Sequence, residues 1–87
     1  MAAADAQRGQ QIARSWCTSC HVIDASGTGT KIDTAPSFPS IAADPGRSDE
    51  RRLAAWLSTS HPTMPDFSMT RDEIADLVAC IRTLAPR

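Results

Sequence analysis

The segment Cys17-Thr18-Ser19-Cys20-His21 constrains this chain more than any other feature. Two closely spaced thiols followed at once by an imidazole admit three chemistries. A bare Cys-x-x-Cys pair forms a local disulfide or a redox couple, and a thioredoxin-like motif of that kind wants strands around a βαβ unit. No convincing strand pattern is present. Half of a zinc site needs further ligands to complete a tetrahedron, and the remaining candidates, Cys80 and His61, stand singly and far from that spacing. The third chemistry is covalent haem attachment, for which Cys-x-x-Cys-His is the recognised pattern. Two thiols reach the two vinyl groups of one porphyrin edge as thioethers, and the histidine next in sequence lies under the ring, where its imidazole can ligate iron.

Composition bears on the choice. The chain has 87 residues, read as one domain over residues 1–87, and at that length apolar burial barely offsets the entropy of ordering the backbone. Apolar residues make up 41%, but aromatics only 5%, namely Trp16, Phe38, Trp56 and Phe67. So thin a core calls for a staple or a cofactor. The three cysteines, an odd number, cannot complete a disulfide framework. Nine basic against ten acidic residues give a net charge of -1, which argues against nucleic-acid binding. No apolar run approaches the roughly 20 residues that a membrane-spanning helix requires.

Periodicity predicts an all-α chain with about three main helices. The first covers Asp5 to Trp16, with Asp5 as N-cap or first-turn acid and Ala6, Ile12, Ala13 and Trp16 at helical spacing. Gly9 inside it costs about 1 kcal/mol relative to Ala, so it either permits a close backbone approach or is a tolerated surface glycine. From Val22 to Pro45 the sequence reads as one long loop, with Gly27, Gly29, Pro36, Pro39 and Pro45 among Ser, Thr and Asp. Loops of that length are usually functional, and a flat cofactor is a natural object to wrap. The second helix runs from Asp49 to Ser58, with Ser48 as N-cap and Leu53, Trp56 and Leu57 on one buried face. Thr70-Arg71-Asp72-Glu73 is a capping box opening the third. Ile74, Leu77, Val78, Ile81 and Leu84 form its apolar stripe, and Pro86 lies just past its end.

Between the second and third helices, Met64 stands between Pro62 and Pro65. An isolated methionine is more often core filler than a ligand. A thioether on a stiffened loop is nevertheless suited to bind iron, and prolines remove backbone donors and fix φ, as befits a segment laid against a porphyrin face.

In family order, these elements resemble a single-haem class I cytochrome c over nearly the whole chain. They are Gly9 eight residues before Cys17, then Cys17-Thr18-Ser19-Cys20-His21, then Ala35-Pro36-Ser37-Phe38, which is similar to the family's Gly-Pro-x-Leu segment. Met64-Pro65-Asp66-Phe67 and a last helix with Glu73-Ile74-Ala75-Asp76-Leu77-Val78-Ala79 complete the series. The resemblance implies the cytochrome c fold, with helices and long loops wrapped around one covalently bound haem c per chain. It gives Cys17 and Cys20 the thioethers, His21 the proximal iron position and Met64 the distal one. Pro36 would offer its carbonyl to the second nitrogen of His21, fixing tautomer and ring plane. Trp56 would line the pocket on the Met64 side, Phe38 and Leu57 would pack on the macrocycle, and Gly9 becomes the contact between first and last helices.

The chain also departs from the family. Cys80 and Ala13 stand where aromatics are common, and Cys80 reads as a buried, inert thiol or, less simply, a dimer-forming one. Lys31 is the single lysine, so lysine-based docking is not supported. Arg47, Arg51 and Arg52 are either a solvated helix face or partners of the haem propionates.

The implied function is soluble electron transfer, without catalysis, because two protein ligands leave no open iron site. The alternative is a haem domain whose distal site is open or taken by His61, acting as a gas binder or weak peroxidase. The expected partners are transient redox proteins, the expected state a monomer. The expected compartment is the bacterial periplasm, after export and removal of a signal peptide, with Met1-Ala2-Ala3-Ala4 read either as the stub past a small-residue cleavage site behind a restored initiator Met or, equally, as a plain chain end.

Overall fold

The computed structural model describes residues 4–18, 20–31, 35–58 and 69–85. Five helices lie among them: α1 (Ala6–Trp16), α2 (Phe38–Ala43), α3 (Pro45–Ser48), α4 (Glu50–Leu57) and α5 (Arg71–Arg82). No strand forms among the described residues, where pairing is confined to isolated bridges such as that between Val22 and Gly29.

The two long helices follow their sequence signals. Asp5 caps α1, its carboxylate accepting from the backbone N–H of Gln7 at 2.9 Å and of Arg8 at 3.2 Å. Thr70 and Glu73 close a reciprocal capping box on α5, with Glu73 N–H donating to Thr70 Oγ1 at 3.1 Å and Thr70 N–H donating to Glu73 Oε1 at 2.7 Å. Their apolar stripes meet in the most extensive helix–helix contact of the fold. Ala13 of α1 and Leu77, Val78 and Ile81 of α5 are buried together with Cys17, Ile23, Phe38, Ala42 and Leu53 in one cluster.

Gly9 is the contact point. A Cβ there would fall on the Asp76 carbonyl oxygen and 2.9 Å from Cys80 Cβ, so the α1 backbone runs directly against α5. Of the two readings of Gly9, the close approach holds. Asp76 adds a polar latch to the crossing. Its side chain is buried, Oδ1 accepts from the Asp5 N–H at 2.7 Å, and Oδ2 lies 3.9 Å from the Arg8 guanidinium. A carboxylate at the N-terminal end of α1 also meets the positive end of that helix dipole.

Three expectations are corrected. The stretch from Val22 to Pro45 is not all loop, because α2 occupies Phe38–Ala43 and α3 starts at Pro45. Of the prolines read as breakers, Pro39 and Pro45 sit in the first turns of these helices, where an N–H has no partner to lose. Ser37 caps α2 by accepting from Ser40 N–H at 3.2 Å, and Asp44 caps α3 by accepting from Gly46 N–H at 2.9 Å. Ser48 is not the cap of α4 but the last residue of α3, and Asp49 takes the capping role, accepting from Arg52 N–H at 3.1 Å. Trp56 does not share the buried face of Leu53 and Leu57. It is 55% exposed, whereas Leu53 is buried and Leu57 packs against the core cluster. Leu53 and Leu57 lie about 40° apart on the helix wheel, while Trp56 is about 100° from Leu57 and so turns off the seam.

Candidate functional site

The Cys-x-x-Cys-His segment begins where α1 ends. Cys17 N–H still donates to Ala13 O at 2.9 Å, as the cap of the helix. The Cys17 carbonyl then accepts twice, from Cys20 N–H at 3.1 Å and from His21 N–H at 2.8 Å. These bonds wind the motif into one turn that brings Cys20 back beside Cys17. Cys17 is buried, Cys20 is half-buried, and no disulfide joins Cys17, Cys20 and Cys80. Burial, and then the neighbouring thiols of Cys80 and Cys20, push the Cys17 thiol up to about 11.

His21 is held by its ring. Nδ1 lies 2.7 Å from the carbonyl oxygen of Pro36. A carbonyl can only accept, so Nδ1 carries the proton, and Nε2 keeps the lone pair that a metal would take. The Phe38 ring stands 5.4 Å from the imidazole, tilted at 45°. Phe38 N–H donates to Val22 O at 2.8 Å, which docks the start of α2 on the residue after His21 and brings Pro36 within reach of the ring.

The loop between His21 and Pro36 doubles back on itself. Ile23 N–H donates to Thr28 O at 2.8 Å, and the Asp24 carboxylate accepts from Thr28 N–H at 3.0 Å. Thr28's backbone N–H and then its hydroxyl, with smaller help from the Ser26 and Gly27 amides, hold the Asp24 carboxyl below the usual carboxylate range. Because the folded value is the lower one, the stabilisation is present above about pH 4 and is lost as the pH falls through the folded value. Asp24→Asn is therefore expected to lower stability at neutral pH, where the carboxylate's contribution is fully present, and to flatten the acid limb of the stability profile. Parallel acid titrations that keep the native slope in the variant would assign that limb to other carboxylates.

Cys17, Cys20, His21, Pro36 and Phe38 are thus gathered at one place. Leu57 borders the same core cluster, whereas Trp56 lies on the outer side of α4. Met64 and His61 lie outside the described residues. Cys80 is buried and its thiol raised, first by burial and then by the charge of Asp24. Arg47, Arg51 and Arg52 are exposed, and Arg52 donates to Gly46 O at 3.3 Å. Among the described residues no cluster of three or more His, Cys, Asp or Glu side chains could hold a zinc ion. No helix among them is long and apolar enough to cross a membrane.

Sequence reasoning missed two residues that shape this region. Asp76 stands in the sequence only as part of the last-helix segment, and its burial becomes visible only once Gly9 sets the helix crossing. Gly29 read as loop composition, yet its φ of 111° and its contact with His21 are specific. A glycine so close after a ligand motif was the available signal.

The donor set fits a c-type haem: two thiols on one turn, and a neighbouring imidazole with its outer nitrogen engaged and its inner one free. The family model described as Cytochrome c matches residues 6–85. Among curated proteins, cytochrome c-552 of Bradyrhizobium diazoefficiens (strain JCM 10833 / BCRC 13528 / IAM 13628 / NBRC 14792 / USDA 110) is 44% identical over 84 residues, covering 97% of this chain and 79% of the relative. No solved structure matches significantly. The chain belongs to the cytochrome c family, an all-α carrier of electrons on covalently bound haem c.

Proposed function

We propose that the chain is a single-domain, one-electron carrier whose haem is attached through Cys17 and Cys20 and whose iron is held between His21 Nε2 and the Met64 thioether. The observation that carries this reading is the 2.7 Å hydrogen bond between His21 Nδ1 and Pro36 O, which presents Nε2 as the ligating nitrogen. An outer hydrogen bond of this kind orients a metal-bound imidazole and raises its basicity. Phe38 beside the imidazole and Leu57 at the core cluster supply an apolar wall for the macrocycle.

With both axial positions filled by protein, no site remains for substrate or O₂, and the domain acts as a carrier and not an enzyme. A neutral thioether opposite an imidazole favours ferrous iron and raises the potential. The partners are transient redox proteins meeting a contact below about 1,200 Å² in total. With a net charge of -1 and Lys31 as the single lysine, that contact is not a lysine ring. The protein is a monomer that works in the periplasm after export.

Two measurements test the assignment. Optical spectra of the oxidised and reduced protein are expected to show sharp reduced α and β bands and the weak red-end oxidised band of a thioether–iron bond. Absence of that weak band would remove Met64 from the iron. Thiol titration is expected to find none of the three cysteines reactive in the folded protein and one after unfolding, because Cys80 is buried and the other two are thioethers. A second reactive thiol after unfolding would mean attachment through one cysteine only.

A further inference from the structure

We propose that Gly29 is a positioning residue for the His21 ligand, a role that rests on the reading of His21 as the proximal iron ligand. Pro36 holds the imidazole from outside, through Nδ1. That bond fixes where the ring ends, but the ring plane also depends on where its backbone begins. The main chain of His21 is held separately, by the returning arm of the 22–30 loop.

Two contacts make this hold. The Thr30 N–H donates to both Thr18 O at 2.9 Å and His21 O at 3.2 Å, so one donor ties together the two ends of the haem-attachment turn. Directly before it, Gly29 pairs with Val22 in an antiparallel bridge, with φ at 111°. A Cβ on Gly29 would land on the His21 carbonyl oxygen and stand 3.1 Å from the His21 carbonyl carbon and 3.4 Å from Val22 Cα. Only a residue without a side chain lets the loop approach the ligand's peptide this closely, and only a residue without a side chain takes that φ freely. The obstructing atoms are backbone, so they cannot rotate away. A side chain at position 29 displaces either the His21 peptide or the Thr30 donor.

Gly27 supplies an internal control. It also has a positive φ, 89°, but a Cβ there meets nothing within 4 Å. Ala at either position carries the strain of a positive φ, whereas only Ala at 29 collides with the ligand's peptide. A role confined to loop stability predicts the same behaviour from both.

The test is proton NMR of the ferric holoprotein, because the spread of the haem-methyl resonances reads the plane of the axial imidazole, together with reduction potential. Gly27→Ala is expected to lose stability while its haem-methyl spread and potential overlay the wild type. Gly29→Ala is expected to shift both. Coincident spectra for Gly29→Ala and Gly27→Ala would overturn the proposal. Thr30→Pro removes the shared N–H without adding a side chain at 29, and is expected to move the haem-methyl spread in its own right. A wild-type spread in Thr30→Pro would overturn the proposal even if Gly29→Ala yields no holoprotein. His21→Ala separates the underlying reading: a low-spin ferric spectrum that survives this change removes His21 from the iron, whereas its loss alongside unmoved position-29 and position-30 variants refutes the positioning role alone.

Discussion

Gly9→Ala is expected to destabilise the holoprotein by about 3 kcal/mol, the upper part of the range for forcing extra carbon into a packed contact. Gly9→Val is expected to cost more still. The sign is the informative part. Replacing glycine by alanine inside an exposed helix gains about 1 kcal/mol from backbone entropy and helix propensity. Here that gain meets a collision with the Asp76 carbonyl of α5 and with Cys80 Cβ at 2.9 Å. The carbonyl belongs to a helical hydrogen-bond ladder and cannot swing aside, so relief requires moving α5 away from α1.

That movement has a second consequence. Asp76 Oδ1 accepts from Asp5 N–H at 2.7 Å, and a charged, buried hydrogen bond of this type is worth about 1.5–3 kcal/mol. Separating the helices strains this latch along with the apolar seam of Ala13, Leu77, Val78 and Ile81. A domain of this size has roughly 5–10 kcal/mol in total, so the two losses together remove a large share of it. Gly46→Ala is the matched control, since a Cβ at Gly46 meets only Asp44 Oδ1 at 3.4 Å. Denaturant unfolding of the three holoproteins decides the matter. Equal or greater stability for Gly9→Ala would show that α1 and α5 are not in backbone contact there.

The parts of the fold legible in the sequence are those where one signal acts alone. Asp5 and the Thr70–Glu73 box stand before long apolar stripes, and α1 and α5 start where those signals place them. The region around α2 and α3 carries two opposed signals. Pro39 and Pro45 suggest a break, while Ser37 and Asp44 one or two residues earlier are capping residues, and a proline after a cap begins a helix instead of ending one. Trp56 departs from the expected buried face because periodicity marks a face of a helix but not its width, and the α4 seam is narrow enough to leave its indole on the flank.

The site divides in the same way. Cys17, Cys20 and His21 are fixed by local chemistry, since three reactive groups in five residues fit few purposes. The bond from His21 to Pro36 spans fifteen positions, so only the order of elements along a family can suggest it. The contact of Gly29 with His21 depends on a loop whose shape is set by Asp24 capping Thr28 and by a positive φ. No periodic pattern encodes such a turn, which is why a glycine inside it reads at first as mere flexibility.

Met64→Ala is expected to lower the reduction potential by about 0.1 V or more, a fraction of the roughly 0.8 V over which axial ligands set haem potentials. A thioether donates little charge and stabilises ferrous iron; its loss gives the position to water, hydroxide or a nitrogen ligand, each of which favours ferric iron more. Cys17 and Cys20 are untouched, so haem content is expected to stay unchanged, and the weak red-end oxidised band is expected to vanish. What replaces the thioether decides between the remaining chemistries. His61 stands three residues before Met64, and if it takes the iron, the variant remains low-spin and refuses external ligands. The double variant Met64→Ala, His61→Ala then becomes high-spin and binds small ligands such as imidazole. If the single variant already binds them, His61 is a surface residue and Met64 alone keeps the site closed. An unchanged potential in Met64→Ala would rule out the thioether as distal ligand, and with it the argument that a filled coordination sphere is what confines this haem to electron transfer.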